Sequence, residues 1–133
     1  QNPRAESVKE NIYRANVAVL PPEGTAVRLV FERVMPAVPP GTERAHVFLK
    51  GRVQGVGFRA FTQRQANMLG VRGLVRNLPD GRVEAVLEGP AATVSELLEK
   101  LKTGPRAARV EDLAVTKDPP EGDFEGFEIV ESP

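Results

Sequence analysis

Alternation of apolar and polar positions sharpens abruptly at Ala45. "AHVFLKGRV" sets Val47 and Leu49 on one side of an extended chain and His46, Phe48 and Lys50 on the other, the period-two pattern of a half-buried strand. After a glycine-bearing loop, "FRAFTQRQANMLG" changes to helical spacing. Phe58, Phe61, Gln65 and Met68/Leu69 share a stripe, and Gly70 is the expected C-terminal cap. "VRGLVRNL" and "RVEAVLEG" return to strand patterning on either side of the Pro79-Asp80-Gly81 turn. They predict a hairpin, with Glu84 and Glu88 on the solvated face of the third strand. "ATVSELLEKLKTG" places Val94, Leu97, Leu98 and Leu101 at i, i+3, i+4 and i+7, with Thr93 or Ser95 serving the helix N-terminus and Gly104 beyond its end. "ARVEDLAVTKD" alternates as a fourth strand, and "FEGFEIVES" follows the "PPEGD" turn as a short fifth.

Strand, helix, strand, strand, helix, strand (βαββαβ) is an α+β order. It predicts a ferredoxin-like split βαβ sandwich, an antiparallel sheet with two helices on one face. Right-handed crossovers then bring the first and third strands together in the centre. This domain is expected over residues 45–133. Residues 1–44 read as an N-terminal extension, an arm or a hairpin of "NIYRANVAVL" and "AVRLVFERVM" across "PPEGT", followed by the Pro-rich linker "MPAVPPGTE".

Composition narrows the chemistry. The 133 residues carry 18 Lys plus Arg against 18 Asp plus Glu, so no global field favours nucleic acid or an anionic membrane, and any anion site must be local. No apolar run approaches the roughly 20 residues of a bilayer span, and no signal-peptide h-region is visible, so a cytoplasmic protein is expected. There is no Cys and a single His, which removes thiolate nucleophiles and leaves zinc or haem without ligands. His46 is expected to be a surface or packing residue. Ser7, Ser95 and Ser132 lack a His–acid partner set. An RNA-binding version of the fold would want exposed aromatics and a basic face, against six Phe, one Tyr and zero net charge.

What remains is "GRVQGVGFR", residues 51–59, between the first strand and the first helix. The free N–H groups and positive dipole end of a helix meet there. Gly55 and Gly57 permit torsions that turn successive N–H groups into one concavity, and Arg59 adds a fork-shaped cation suited to phosphate oxygens. No Gly-Lys-Ser/Thr follows, so this is not a Walker A loop, and the glycine intervals do not fit a dinucleotide fingerprint. Asn77 ends the second strand. If it projects toward the loop, its amide can hold a water in line and donate to a phosphate, although it cannot act as a strong base.

"GRVQGVGFR" at 51–59 followed by "GLVRNLPDGRVEAVLEG" at 73–89 closely resembles the two signature segments of the acylphosphatase family, and "GPRAARVEDLAV" and "FEGFEIVES" resemble its C-terminal half. The likeness spans roughly residues 45–131. It implies metal-independent hydrolysis of the carboxyl–phosphate bond of acyl phosphates, with inorganic phosphate as product and no cofactor. It also implies a monomer with no nucleic-acid or membrane partner. Carried over, the phosphate loop falls on Gln54, Gly55, Val56, Gly57, Phe58 and Arg59, the essential arginine on Arg59 and the water-orienting asparagine on Asn77. Leu74 departs from the Trp common in the family's "GWV", a packing change expected to touch stability or substrate shape more than chemistry. The other reading is a non-catalytic phosphate- or anion-binding regulatory module of the same fold, which has no evident use for Asn77.

Overall fold

The computed structural model describes residues 38–133, and the expected N-terminal arm or hairpin lies outside them. Among the described residues the chain forms β1 (Thr42–Arg52), α1 (Phe58–Leu69), β2 (Arg72–Asn77), β3 (Val83–Pro90), α2 (Ala91–Thr103), β4 (Arg109–Asp118) and β5 (Phe127–Ile129). The sheet order is β4-β1-β3-β2-β5, so β1 and β3 are central as the crossover rule requires. Four strands pair antiparallel. The fifth departs from the all-antiparallel expectation: β5 runs parallel to β2, with Gly73, Leu74 and Val75 opposite Phe127, Glu128 and Ile129. The connection from β4 carries the chain past the sheet to the far edge, and β5 therefore enters in the direction of β2.

The core lies between one sheet face and the two helices. Ala45, Val47 and Leu49 of β1, Val83, Ala85 and Leu87 of β3, and Val75 of β2 are fully buried there, with Val94, Leu97 and Leu101 of α2 against them. These are the alternate strand positions and the i, i+3, i+7 helix positions that the pattern marked. Helix α1 is seated differently from its predicted stripe. Phe58, Thr62 and Ala66 are its buried residues, whereas Met68 is 77% exposed. Small side chains at 62 and 66 let α1 approach closely, and the Thr62 hydroxyl donates to the Phe58 carbonyl at 2.8 Å, satisfying its buried oxygen. Gly70 caps α1, donating to Ala66 and Asn67. At α2 the N-cap is Pro90 with no side-chain cap, and Thr93 donates back to the Pro90 carbonyl instead of accepting from the first turn.

The opposite sheet face corrects another expectation. Glu84 and Glu88 are buried, not solvated. Arg76 and His46 on the two flanking strands each reach Glu84, at 2.7 and 2.6 Å. Glu88 accepts from Arg44 at 2.7 Å and from the N–H groups of Gly122 and Glu121. The Arg44 guanidinium also pairs with Asp123 and stacks 4.7 Å from the Phe124 ring centre, drawing the 119–126 segment across this face. Strand neighbours of opposite charge, long enough to cover one another, bury a carboxylate that sequence alternation alone assigns to solvent.

Candidate active site

Two parallel strands flanking a common antiparallel partner end at the same edge of a sheet. Leu49, near the end of β1, and Asn77, the last residue of β2, both pair with Val83 of β3. That register brings residues 53–57, which continue from β1, alongside a side chain twenty or more positions later in the chain.

Val53 plugs the start of the loop into the core, and Phe58 does the same at its end. The five residues from 53 to 57 turn the chain between these anchors. Gly55 and Gly57 both take left-handed torsions, with φ of 74° and 79°. An added Cβ at either would meet nothing within 4 Å, so the requirement for glycine there is torsional rather than steric. Gly57 is the N-cap of α1, and no side chain caps that end. Among the described residues none accepts a hydrogen bond from the N–H groups of residues 54–59. The loop therefore offers a run of free donors at the positive end of a helix.

Gly55, Gly57, Phe58, Arg59 and Asn77 line one cavity of about 230 Å³, together with Val53, Ala60 and Ile129. Two expected loop residues contribute otherwise. Val56 packs its side chain against the core. Gln54 turns its amide to the β2–β3 hairpin, where Nε2 donates to the carbonyls of Leu78 and Arg82, both at 2.9 Å. Arg59 is exposed and makes no ion pair with another described residue. The Asn77 carboxamide is the most telling group. Its Oδ1 is buried and has no hydrogen-bond partner among the described residues, although buried polar atoms rarely go unpaired. Its backbone carbonyl is occupied, accepting from the Ser132 hydroxyl at 2.6 Å.

The carboxylates whose ionisation is shifted sit outside this cavity. Burial pushes the Glu84 carboxyl up, but the bonds from Arg76 and His46 outweigh it and hold the group below its usual range. Burial likewise opposes ionisation of Glu88, and Arg44 with the Gly122 and Glu121 amides overcomes it. Asp80 is held low by the Arg82 backbone N–H that it accepts in the hairpin turn, and by the Arg82 guanidinium. None of these carboxylates lines the cavity, and neither does His46. The cavity offers N–H donors, one guanidinium and one amide, which suits binding and orienting a tetrahedral anion beside a water, without a general base.

Sequence reasoning missed Ile129, Val53 and Ala60 as cavity residues. Val53 and Ala60 are neighbours of the glycine motif and were within reach. Ile129 was not, because its place depends on the parallel pairing of β5.

Known proteins share this chain's sequence pattern and fold. The acylphosphatase family model matches residues 45–129. An acylphosphatase of Gloeobacter violaceus is 55% identical over 89 residues, covering 67% of this chain and 95% of that protein. One from Rubrobacter xylanophilus is 53% identical over 88 residues, 66% of this chain and 80% of its own length. The crystal structure of the acylphosphatase from Bacillus subtilis superposes with a TM-score of 0.65 at 38% identity, over 66% of this chain and 98% of that one. With both signature segments folded onto one cavity and the match running through nearly the whole described domain, the chain belongs to the acylphosphatase family.

Proposed function

We propose that this protein hydrolyses the carboxyl–phosphate bond of acyl phosphates without a metal ion, releasing a carboxylate and inorganic phosphate. The amides of 54–59 and the Arg59 guanidinium hold the phosphoryl oxygens. The Asn77 Oδ1 accepts a hydrogen bond from a water, and its Nδ2 donates to the phosphoryl group. Water attacks phosphorus as the P–O bond to the carboxyl group breaks. The bonding pair leaves on the carboxylate, and a water proton passes to a phosphate oxygen.

The leaving group explains why so spare a site suffices. A departing carboxylate has a conjugate-acid pKa of about 4, so it needs no proton from the protein. Phosphoryl transfer through a loose transition state rewards alignment and charge stabilisation over covalent work. Free amides held by the loop torsions at Gly55 and Gly57, with a permanent cation beside them, supply that stabilisation.

The single observation carrying this reading is the buried, unpartnered Asn77 Oδ1 in the same cavity as Gly55, Gly57 and Arg59. A module that only binds phosphate needs donors, and an acceptor buried beside them opposes an anion unless a water or a protonated oxygen stands between. The test is a continuous hydrolysis assay with a synthetic acyl phosphate in excess chelator, with inorganic phosphate as competitor. Turnover inhibited competitively by phosphate is expected. Absence of turnover, or dependence on added divalent metal, would overturn the proposal.

A further inference from the structure

Once the loop amides, Arg59 and Asn77 are assigned to the phosphoryl group, the rest of the cavity wall is hydrocarbon: Val53, Phe58, Ala60 and Ile129. Val53 and Phe58 are buried in the core and shape the floor. Ala60 is small. Ile129 differs from all three, because it is a large apolar residue that lines the cavity with 40% of its surface exposed. Met68 and Val115 are the other large apolar residues exposed among the described ones, and neither lines it.

Ile129 is also held firmly. Val75 pairs with it across the parallel β2–β5 ladder, and the Val130 N–H donates to the Val75 carbonyl at 3.0 Å. Phe127, two residues earlier on the same face, is buried in the core, and its carbonyl accepts from Gln63 of α1 at 3.1 Å. On β2, Asn77 lies two residues beyond Val75 and so shares that face. The short fifth strand thus sets an isoleucine next to the residue that faces the water. Among the described residues no carboxylate and no second cation line the cavity to receive a charged acyl group.

We infer that Ile129 determines acyl specificity: it forms an apolar wall that selects acyl phosphates whose acyl group is aryl or branched aliphatic over those with a minimal or charged one. This rests on the proposed acyl phosphate hydrolysis and adds which acyl groups are favoured. Contact with a hydrocarbon wall strengthens as the carbonyl carbon leaves the phosphoryl group only if the wall is already in place, and the anchoring of β5 provides that.

The test compares kcat/KM for benzoyl phosphate and acetyl phosphate in the full chain, in Ile129→Ala and in Ile129→Leu, with the inhibition constant of inorganic phosphate measured in each. Wild type should prefer benzoyl phosphate. Ile129→Ala should lower the benzoyl-to-acetyl ratio roughly tenfold, the low end for a hydrophobic pocket because this wall is partly open. Ile129→Leu should restore most of the ratio, and the phosphate constant should stay within twofold throughout. An unchanged ratio in Ile129→Ala would overturn the inference while leaving acyl phosphate hydrolysis intact. So would an equal loss on both substrates with weaker phosphate inhibition, which would make Ile129 a structural support. Failure of wild type to hydrolyse either compound would overturn the proposed reaction and this inference together.

Discussion

Gln54 donates its side-chain amide to the carbonyl of Leu78, one residue past Asn77, at 2.9 Å. The same nitrogen reaches the Arg82 carbonyl across the hairpin, so a single side chain ties the donor loop to the strand end that carries Asn77. Gln54→Ala should cost about 1–2 kcal/mol of stability, two modest hydrogen bonds, seen as a lower Tm. It should also reduce kcat by roughly tenfold or more, since small displacements of aligned groups are expensive in rate. Gln54→Glu should be worse than Ala in both, because a carboxylate would face two carbonyl oxygens.

Arg59 and Asn77 should separate binding from turnover. Arg59→Ala is expected to weaken phosphate inhibition and to lower kcat/KM by roughly 10²–10³-fold, the usual loss for one charge-stabilising donor. Asn77→Ala should weaken phosphate inhibition far less than Arg59→Ala does, by the loss of one neutral hydrogen bond, while kcat falls by a comparable factor. Asn77→Ala turnover at the wild-type rate would remove the water-holding role.

The left-handed torsions at Gly55 and Gly57 predict a graded series. Gly57→Ala should destabilise by about 1–2 kcal/mol through φ alone, there being room for the methyl group. Gly57→Asn should be milder, since asparagine tolerates this region better. If phosphate affinity follows the same order as Tm, the loop conformation and the donor array are one property.

Acid should strip stability from the far face of the sheet. The carboxyls of Glu84 and Glu88 titrate below their unfolded value of 4.5. Their contribution is therefore full above that pH and is lost as pH falls through the lower folded values. Tm should stay nearly flat from pH 7 to about 5 and drop below 4.5. Glu84→Gln should be less stable than wild type at pH 7 yet lose less on acidification. An acid limb identical to wild type in this variant would assign the loss to other groups.

Much of the fold was legible because each element declares a period. The helical spacing of Val94, Leu97 and Leu101 and the alternation of Val47 and Leu49 correspond to full burial, with Leu98 at the stripe's margin only half-buried. Met68 misled because a wide apolar stripe does not say which of its margins faces the sheet, and close packing through Thr62 and Ala66 decided it. Glu84 and Glu88 misled because a charged residue on an alternating strand reads as solvated, whereas its cross-strand partners, set by register, determine whether it can be covered. The donor loop was legible from Gly55, Gly57 and Arg59, which carry their chemistry locally. Ile129 was not, since its relation to Asn77 exists only through pairing between distant segments.

The three residues of β5 have one more effect. By lying along β2, they pair with Gly73, Leu74 and Val75, so one margin of the sheet ends in a strand of three residues, while β4, of ten, is the long margin among the described strands. A bare strand margin invites intermolecular pairing and aggregation. β4 carries Arg109, Glu111, Asp112, Lys117 and Asp118, and its pairing with β1 is broken by a bulge between Lys50 and Gly51. Such charges and irregularity discourage addition of a foreign strand. The molecule thus ends the margin nearest its reactive groups in a strand too short to template another chain, and lines the other with charges that are costly to bury.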